Sequence, residues 1–162
     1  MKSGVVSLRR PRAGDYGRVV ALHGELYARE FRYDGRFEAL VAGIVAEFVE
    51  NFDAKCERCW IADLKGEAVG SVFLVRKSAT VAKLRLLIIH PKARGLGLGR
   101  RLVRACIAFA RKKRYRRIVL WTQSHLAAAR AIYERENFKL RSRKAHFSFG
   151  KRLVAETWAL KL

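Results

Sequence analysis

The chain has 162 residues, enough for one domain with a buried core, and 51% are hydrophobic, which excludes a disordered polybasic tail. Lys and Arg number 35 against 14 Asp and Glu, a net charge of +21, far beyond what solubility requires. No apolar run approaches a membrane span, Met1 to Asp15 has no apolar signal core, and three Cys suit reduced thiols, so a cytoplasmic protein with no membrane partner is expected.

Val5 to Arg9 reads as a first strand, broken by Pro11, Ala13 and Gly14, with Asp15 as the N-cap of a helix running to about Phe31. Val19, Leu22 and Leu26 recur there at helical spacing. Tyr33-Asp34-Gly35 is a turn. Phe37 to Phe52 is a second helix, with Leu40, Val41, Ile44, Val45 and Phe48 on one face. The period then changes. Cys59–Leu64 and Val69–Arg76 read as a hairpin about Lys65-Gly66-Glu67. Val81–His90 is a strand whose continuous apolar end, Leu86 to Ile89, predicts burial on both faces. Gly97–Lys113 is an amphipathic helix, with Leu98, Leu102, Cys106 and Phe109 inward and Arg100, Arg101, Arg104 and Arg111 outward. Arg117–Trp121 is a buried-type strand, His125–Glu136 a helix, and Phe138–Phe147 with Leu153–Leu160 the closing strands. The order βααβββαβαββ needs a crossover between residues 84 and 121. The expected fold is therefore α/β (of α+β type), a mixed central sheet flanked by helices. With two Pro, no repeat and no low-complexity linker, residues 1–162 read as one domain.

The segment from Ile88 to Arg100 carries the chemistry. A buried strand ends, and the glycine-rich stretch Arg94-Gly95-Leu96-Gly97-Leu98-Gly99 opens directly into a helix. Glycines let the backbone turn tightly and approach a ligand, and the free N–H groups of the first helical turn favour an anion, with Arg94 and Arg100 adding charge. This is a phosphate site on physical grounds. It is not a Walker A loop, because no Gly-Lys-Ser/Thr follows. Nor is it a dinucleotide fingerprint, because Arg100 stands where a third Gly is required.

The spacing Arg/Gln-x-x-Gly-x-Gly, found here at 94–99, resembles the GNAT superfamily of N-acetyltransferases. The element order resembles that family over nearly the whole chain. So does Ala129 to Phe138, similar to the family's helix ending in Tyr-x-x-x-Gly-Phe, with Asn137 in place of the Gly and equally tolerant of a left-handed cap. Leu120 to Ser124 and Phe149-Gly150-Lys151 with Glu156-Thr157-Trp158 are similar to the GNAT domain of fusion proteins that begin with a MarR-type winged helix, which is absent here.

The resemblance implies an N-acetyltransferase with acetyl-CoA as cosubstrate, no metal, and direct attack by a primary amine. It places the coenzyme pyrophosphate on Arg94, Gly95, Leu96, Gly97, Leu98, Gly99 and Arg100. Backbone N–H groups of Leu87, Ile88 and Ile89 are suited to polarising the carbonyl. Tyr133, by its place in the motif, would assist the leaving thiolate. A phenol near pKa 10 is a weaker acid than a thiol near about 8.5, so a hydrogen bond to sulfur is the greater part of that role. Leu126 stands where the family often places an Asn. The general base is open among Glu25, Glu30, Asp34, His125 and ordered water.

Three other signals are bland. Cys56-Glu57-Arg58-Cys59 lacks the second pair a zinc site needs. The run from Arg111 to Arg117 reads as a helix C-terminus followed by a solvated turn. Phe147, Phe149 and Trp158 read as sheet core or acceptor-pocket wall.

The charge is lopsided. Residues 1–80 carry 13 basic and 11 acidic side chains, residues 81–162 carry 22 and 3, and no acid stands between Glu67 and Glu134. The basic half holds the coenzyme loop. The expected acceptor is therefore a small amine, an amino-acid-like molecule or an amine on a protein, bound near residues 22–50. The alternative is a module of the same scaffold that binds nucleic acid or another acidic partner. A homodimer through the closing strands is also open.

Overall fold

The computed structural model describes residues 4–162, so Met1 to Ser3, which the sequence assigns to the domain, lie outside the described residues. The elements are β1 (Val6–Arg9), α1 (Asp15–Phe31), α2 (Gly35–Glu50), β2 (Arg58–Leu64), β3 (Glu67–Arg76), β4 (Val81–Ile89), α3 (Leu98–Lys112), β5 (Arg117–Gln123), α4 (Ala127–Arg135), β6 (Lys139–Ser148) and β7 (Lys151–Lys161). They follow the order expected from periodicity. The sheet has seven strands in the order β1-β2-β3-β4-β5-β7-β6, and only β4 and β5 are parallel. The crossover between those two is α3, whose apolar stripe Leu98, Leu102, Cys106 and Phe109 is buried on the sheet with Leu84, Ile118 and Leu120. On the opposite face Val19 of α1 and Val41, Val45 and Phe48 of α2 pack over Ile61 and Phe73.

Three local readings change. Asp15 is not the cap of α1; Gly14 is, in left-handed conformation and without a side-chain bond. The Asp15 carboxylate instead accepts from Arg9 Nη1 at 2.6 Å and from the Arg12 N–H at 2.6 Å. Arg9 also reaches Asp63 at 2.7 Å and so ties β1, β2 and α1 together. The cap of α2 is Asp34, which accepts from the Arg36 N–H. Leu40 of α2 is exposed rather than core, because it faces a cavity and not the sheet. Leu86, Leu87 and Ile89 are only partly buried, contrary to the continuous apolar run, because β5 has left β4 at that point.

The departure begins at a bulge. Register with β3 shifts between the Phe73–Arg85 and Ser71–Ile88 pairs, and Leu86 takes φ 53°, a left-handed conformation that costs a non-glycine residue about 1 kcal/mol. The Ser71 hydroxyl donates to the Leu86 carbonyl and holds the bulge. Beside it, Gly70 lets β3 approach closely. A Cβ there would lie 2.8 Å from the Ile88 carbonyl oxygen, a backbone atom that cannot step aside. Gly70→Ala is therefore expected to destabilise the fold by about 1–3 kcal/mol, read as a lowered denaturant midpoint with unchanged slope.

Candidate active site

β4 and β5 pair only from Val81–Arg117 to Leu84–Leu120, yet both strands run on, to Ile89 and Gln123. The gap between them opens into a cavity of about 510 Å³. Its walls are Leu84 to Leu87 of β4, Val119 to Gln123 of β5, Leu126, Ala129 and Tyr133 around α4, and aromatic and aliphatic residues of α1 and α2. His90 N–H bonds to the Val69 carbonyl on the β3 side. Alternation along the strand then turns the N–H groups of Leu87 and Ile89 toward the side that β5 has vacated, and that of Ile88 toward β3. The Ile88 side chain is buried against Leu22 and Leu26 of α1.

At the end of β4, Pro91–Ala93 makes a single 3₁₀ turn and the glycine loop follows. Gly95 and Gly97 have φ 80° and 70°, and a Cβ at either would point into open space, so the loop leaves a shallow backbone cradle. Gly97 caps α3, and Arg101 N–H to Gly97 O closes the first turn. The N–H groups of Leu98, Gly99 and Arg100 therefore have no helical partner. Gly99 has an ordinary conformation and serves packing, since a Cβ there would meet Ile132 of α4 at 2.7 Å. Leu98 is buried in the core and Leu96 is exposed.

The two arginines are braced by carboxylates. Arg94 pairs with Glu30 of α1 at 2.6 Å, and Arg100 pairs with Glu136 at 2.5 Å. Both remain half exposed and flank the cradle. This set fits a pyrophosphate: free helical N–H groups, a side-chain-free loop and two cations at its rim.

Tyr133 projects from α4 into the cavity wall, buried beside Phe138 and Trp158. Burial pushes its phenol pKa well up, with smaller contributions from Tyr27 and Cys106, so the hydroxyl stays protonated and can donate. Asn137 takes φ 68° after α4, as the motif anticipates. Leu126 caps α4 and lines the cavity.

None of the carboxylates considered as bases faces the cavity. Glu25 is exposed, Glu30 holds Arg94, and Asp34 caps α2 and pairs with Arg36. His125 sits outside the wall, its Nε2 bonded to the Tyr33 hydroxyl at 2.7 Å. The sequence missed His23. It is buried in the wall, and its Nδ1 lies 2.8 Å from the Val19 carbonyl. A carbonyl only accepts, so Nδ1 carries the proton and Nε2 keeps a lone pair. Only tertiary placement reveals it, because a His amid apolar helical spacing reads equally well as a core residue. The sequence also missed Lys83 and Arg85, which look like ordinary strand residues, and Trp121, expected in a buried-type strand, is instead exposed in the cavity wall because β4 has left β5 there. Of the three aromatics considered, Phe149 lines the wall, Trp158 is core and Phe147 is exposed.

The acetyltransferase (GNAT) family profile matches residues 23–138. The chain belongs to this family. It is 28% identical over 116 residues to human N-acetyltransferase 8B, which covers 68% of the chain and 51% of that protein, so the chain spans about half the length of this relative. Solved structures with the same fold include YncA from Salmonella typhimurium, solved with its cofactor acetyl-CoA (TM-score 0.79, 16% identity, 97% of this chain and 94% of that one). A ribosomal-protein-alanine N-acetyltransferase from Brucella melitensis is similar (TM-score 0.78, 18% identity, 96% and 99%). At these identities the likeness establishes the GNAT fold, with its mixed seven-stranded sheet.

His23 carries a pH signature. Burial lowers its pKa to about 4, only partly offset by the bond to Val19, against 6.5 for the free residue. Between these values the unfolded chain binds the proton and the folded chain does not, so stability rises with pH across this window and is lost as pH falls through it. Chemical denaturation from pH 7 to pH 4 should show a loss of about 3 kcal/mol that His23→Gln removes.

Proposed function

We propose that the chain is an acetyl-CoA-dependent N-acetyltransferase that acetylates a primary amine by direct attack in a ternary complex. The observation that carries this reading is the gap between β4 and β5. It opens between the glycine cradle at the N-terminus of α3 and the acceptor-side helices α1 and α2, with Tyr133 in its wall. The relatives whose names specify N-acetyltransferases, and the family's bound coenzyme in YncA, support it.

Acetyl-CoA would supply the acetyl thioester, held by the N–H groups of Leu98, Gly99 and Arg100, the backbone of Gly95 to Gly97, and the Arg94 and Arg100 side chains. The N–H groups of Leu87 and Ile89 stand ready to stabilise negative charge on a carbonyl oxygen. The Tyr133 hydroxyl donates a hydrogen bond toward sulfur. Its raised pKa makes outright proton transfer unfavourable, so donation is its contribution. The acceptor must arrive as the free amine, since an alkylammonium has a pKa near about 10.4 and no lone pair. The Nε2 of His23 is the lone-pair nitrogen of the wall and accepts an N–H from that amine, orienting it. The acetyl C–S bond breaks, a C–N bond forms, and the amine's proton ends on the coenzyme thiol.

Acetyl-CoA is expected to raise the melting temperature in proportion to its occupancy, while a generic oligonucleotide does not; the reverse outcome favours the acidic-partner reading. Tyr133→Phe is expected to lower kcat about tenfold or more with acetyl-CoA affinity unchanged, read by coenzyme-thiol release and titration. An unchanged kcat removes Tyr133 from the mechanism.

A further inference from the structure

The cavity has two chemically different walls. The α4 side is apolar and carries Tyr133. The opposite side presents Lys77, Lys83 and Arg85, and among the described residues lining the cavity there is no Asp or Glu. Lys83 lies opposite Val75 and Arg85 opposite Phe73 on β3. Phe73 and Val75 pack under α1 and α2, so both cations project on the acceptor face of the sheet. Lys83 is also paired with Val119 of β5, one step before the strands part, and Arg85 stands just beyond the last pair. At about 3.3 Å per residue both cations lie within a few ångströms of the mouth of the gap.

These two side chains are half-buried, and neither takes part in an ion pair among the described residues. Arg9 and Arg130, also half-buried, differ, and half-buried Arg58 lies over the Phe109 ring. Arg9 is shared by Asp15 and Asp63, and Arg130 sits on Glu156, which is fully buried. Lys83 and Arg85 also line an adjacent hollow of about 270 Å³ with Glu47 and Glu57; Glu47 of α2 is the carboxylate that raises the pKa of both, yet neither acid comes within ion-pair distance of them, and the larger cavity on their other side holds none. Burial pulls both cations' pKa values down, and Arg85 and Lys77 add to the effect on Lys83. Holding two like charges two residues apart in a half-buried wall is costly unless an anion completes the site. The remaining wall of this compartment is apolar and partly open: Phe37, Leu40, Ile44, Val119 and Trp121, the last 48% exposed.

We infer that the acetyl acceptor is a small amine carrying a carboxylate and an apolar body, an amino-acid-like molecule whose carboxylate is taken by Lys83 and Arg85 while its apolar part lies against Trp121, Leu40 and Ile44. This rests on the acetyltransferase reading and deepens it. Such a molecule presents its amine two or three bonds from its carboxylate carbon, so anchoring the anion at the mouth of the gap directs the nitrogen into it. Polyamines and lysine-rich segments, with cations at this distance from the reacting amine, are repelled by the same pair. The chemistry of transfer is unaltered; the cations position the acceptor and do not react.

The test uses matched trios: phenylalanine, its methyl ester and phenethylamine, then leucine, its methyl ester and isoamylamine, each with acetyl-CoA and a readout of coenzyme thiol. At least one free acid is expected to exceed its ester and its decarboxylated amine in kcat/KM by about tenfold, the scale of one charge-assisted hydrogen bond. The difference should sit mainly in KM. Lys83→Gln with Arg85→Gln is expected to bring the acid-to-ester ratio close to one, with the acetyl-CoA-induced shift in melting temperature retained. If ester or amine matches or exceeds the acid in the native protein, or no acid is acetylated, the inference is overturned, whatever the variants do. A preference for acid that survives the double substitution also overturns it. Failure of the acetyltransferase reading itself looks different: no melting shift with acetyl-CoA and no thiol release with any of the six amines.

Discussion

Four residue pairs, Val81 to Leu84 against Arg117 to Leu120, are all the sheet pairing that joins the two halves of this molecule. On one side lie β1 to β4 with α1 and α2; on the other lie β5, β7 and β6. A continuous parallel pair would have sealed the sheet. The bulge at Leu86, braced by Ser71 and permitted by Gly70, turns β4 away instead, and the gap that results is the cavity. Every functional element takes its place from that separation. The glycine loop caps one end of it, Tyr133 closes one wall, and the strand N–H groups of Leu87 and Ile89 lose β5 as a neighbour because of it.

The few acids in the second half of the chain act as braces. Glu136 takes both Arg100 and Arg104, joining the end of α4 to the start of α3. Glu156, fully buried, takes Arg130 and Arg143 and accepts from the Trp158 indole, fixing α4 and β6 to β7. Arg94 reaches back to Glu30, linking the glycine loop to α1. These contacts consume part of the positive excess that composition alone makes conspicuous. They also set off the two cations on β4, which form no ion pair among the described residues, from Arg9 and Arg130, which do.

The Arg111–Arg117 run shows how position changes the reading of charge. It is not one patch. Arg111 and Lys112 end α3, Lys113 lies over the Phe109 ring, and Tyr115 turns inward to donate to the Cys56 carbonyl. Arg117 is already in β5. A string of like charges in sequence is thus divided among a helix end, a ring face and a strand.

The order of elements, the inward stripe of α3, the left-handed Asn137 and the glycine loop opening into α3 were legible in the chain, because each depends on local periodicity, on glycine spacing or on a short motif. So was the family. The apolar end of β4 was misread as buried on both faces, since periodicity records which residues are apolar but not whether the neighbouring strand stays. Leu40 went the same way: its spacing marks a helix face, and only packing decides whether that face meets sheet or cavity. His23, Lys83 and Arg85 gave no signal, for their meaning lies in partners that are distant in sequence or missing. The chain by itself determined which backbone it would build and where a glycine loop would leave free N–H groups at a helix terminus. The tertiary structure alone decided which side chains share the cavity and which charges are left unpaired there, because pairing is a property of space and not of sequence order.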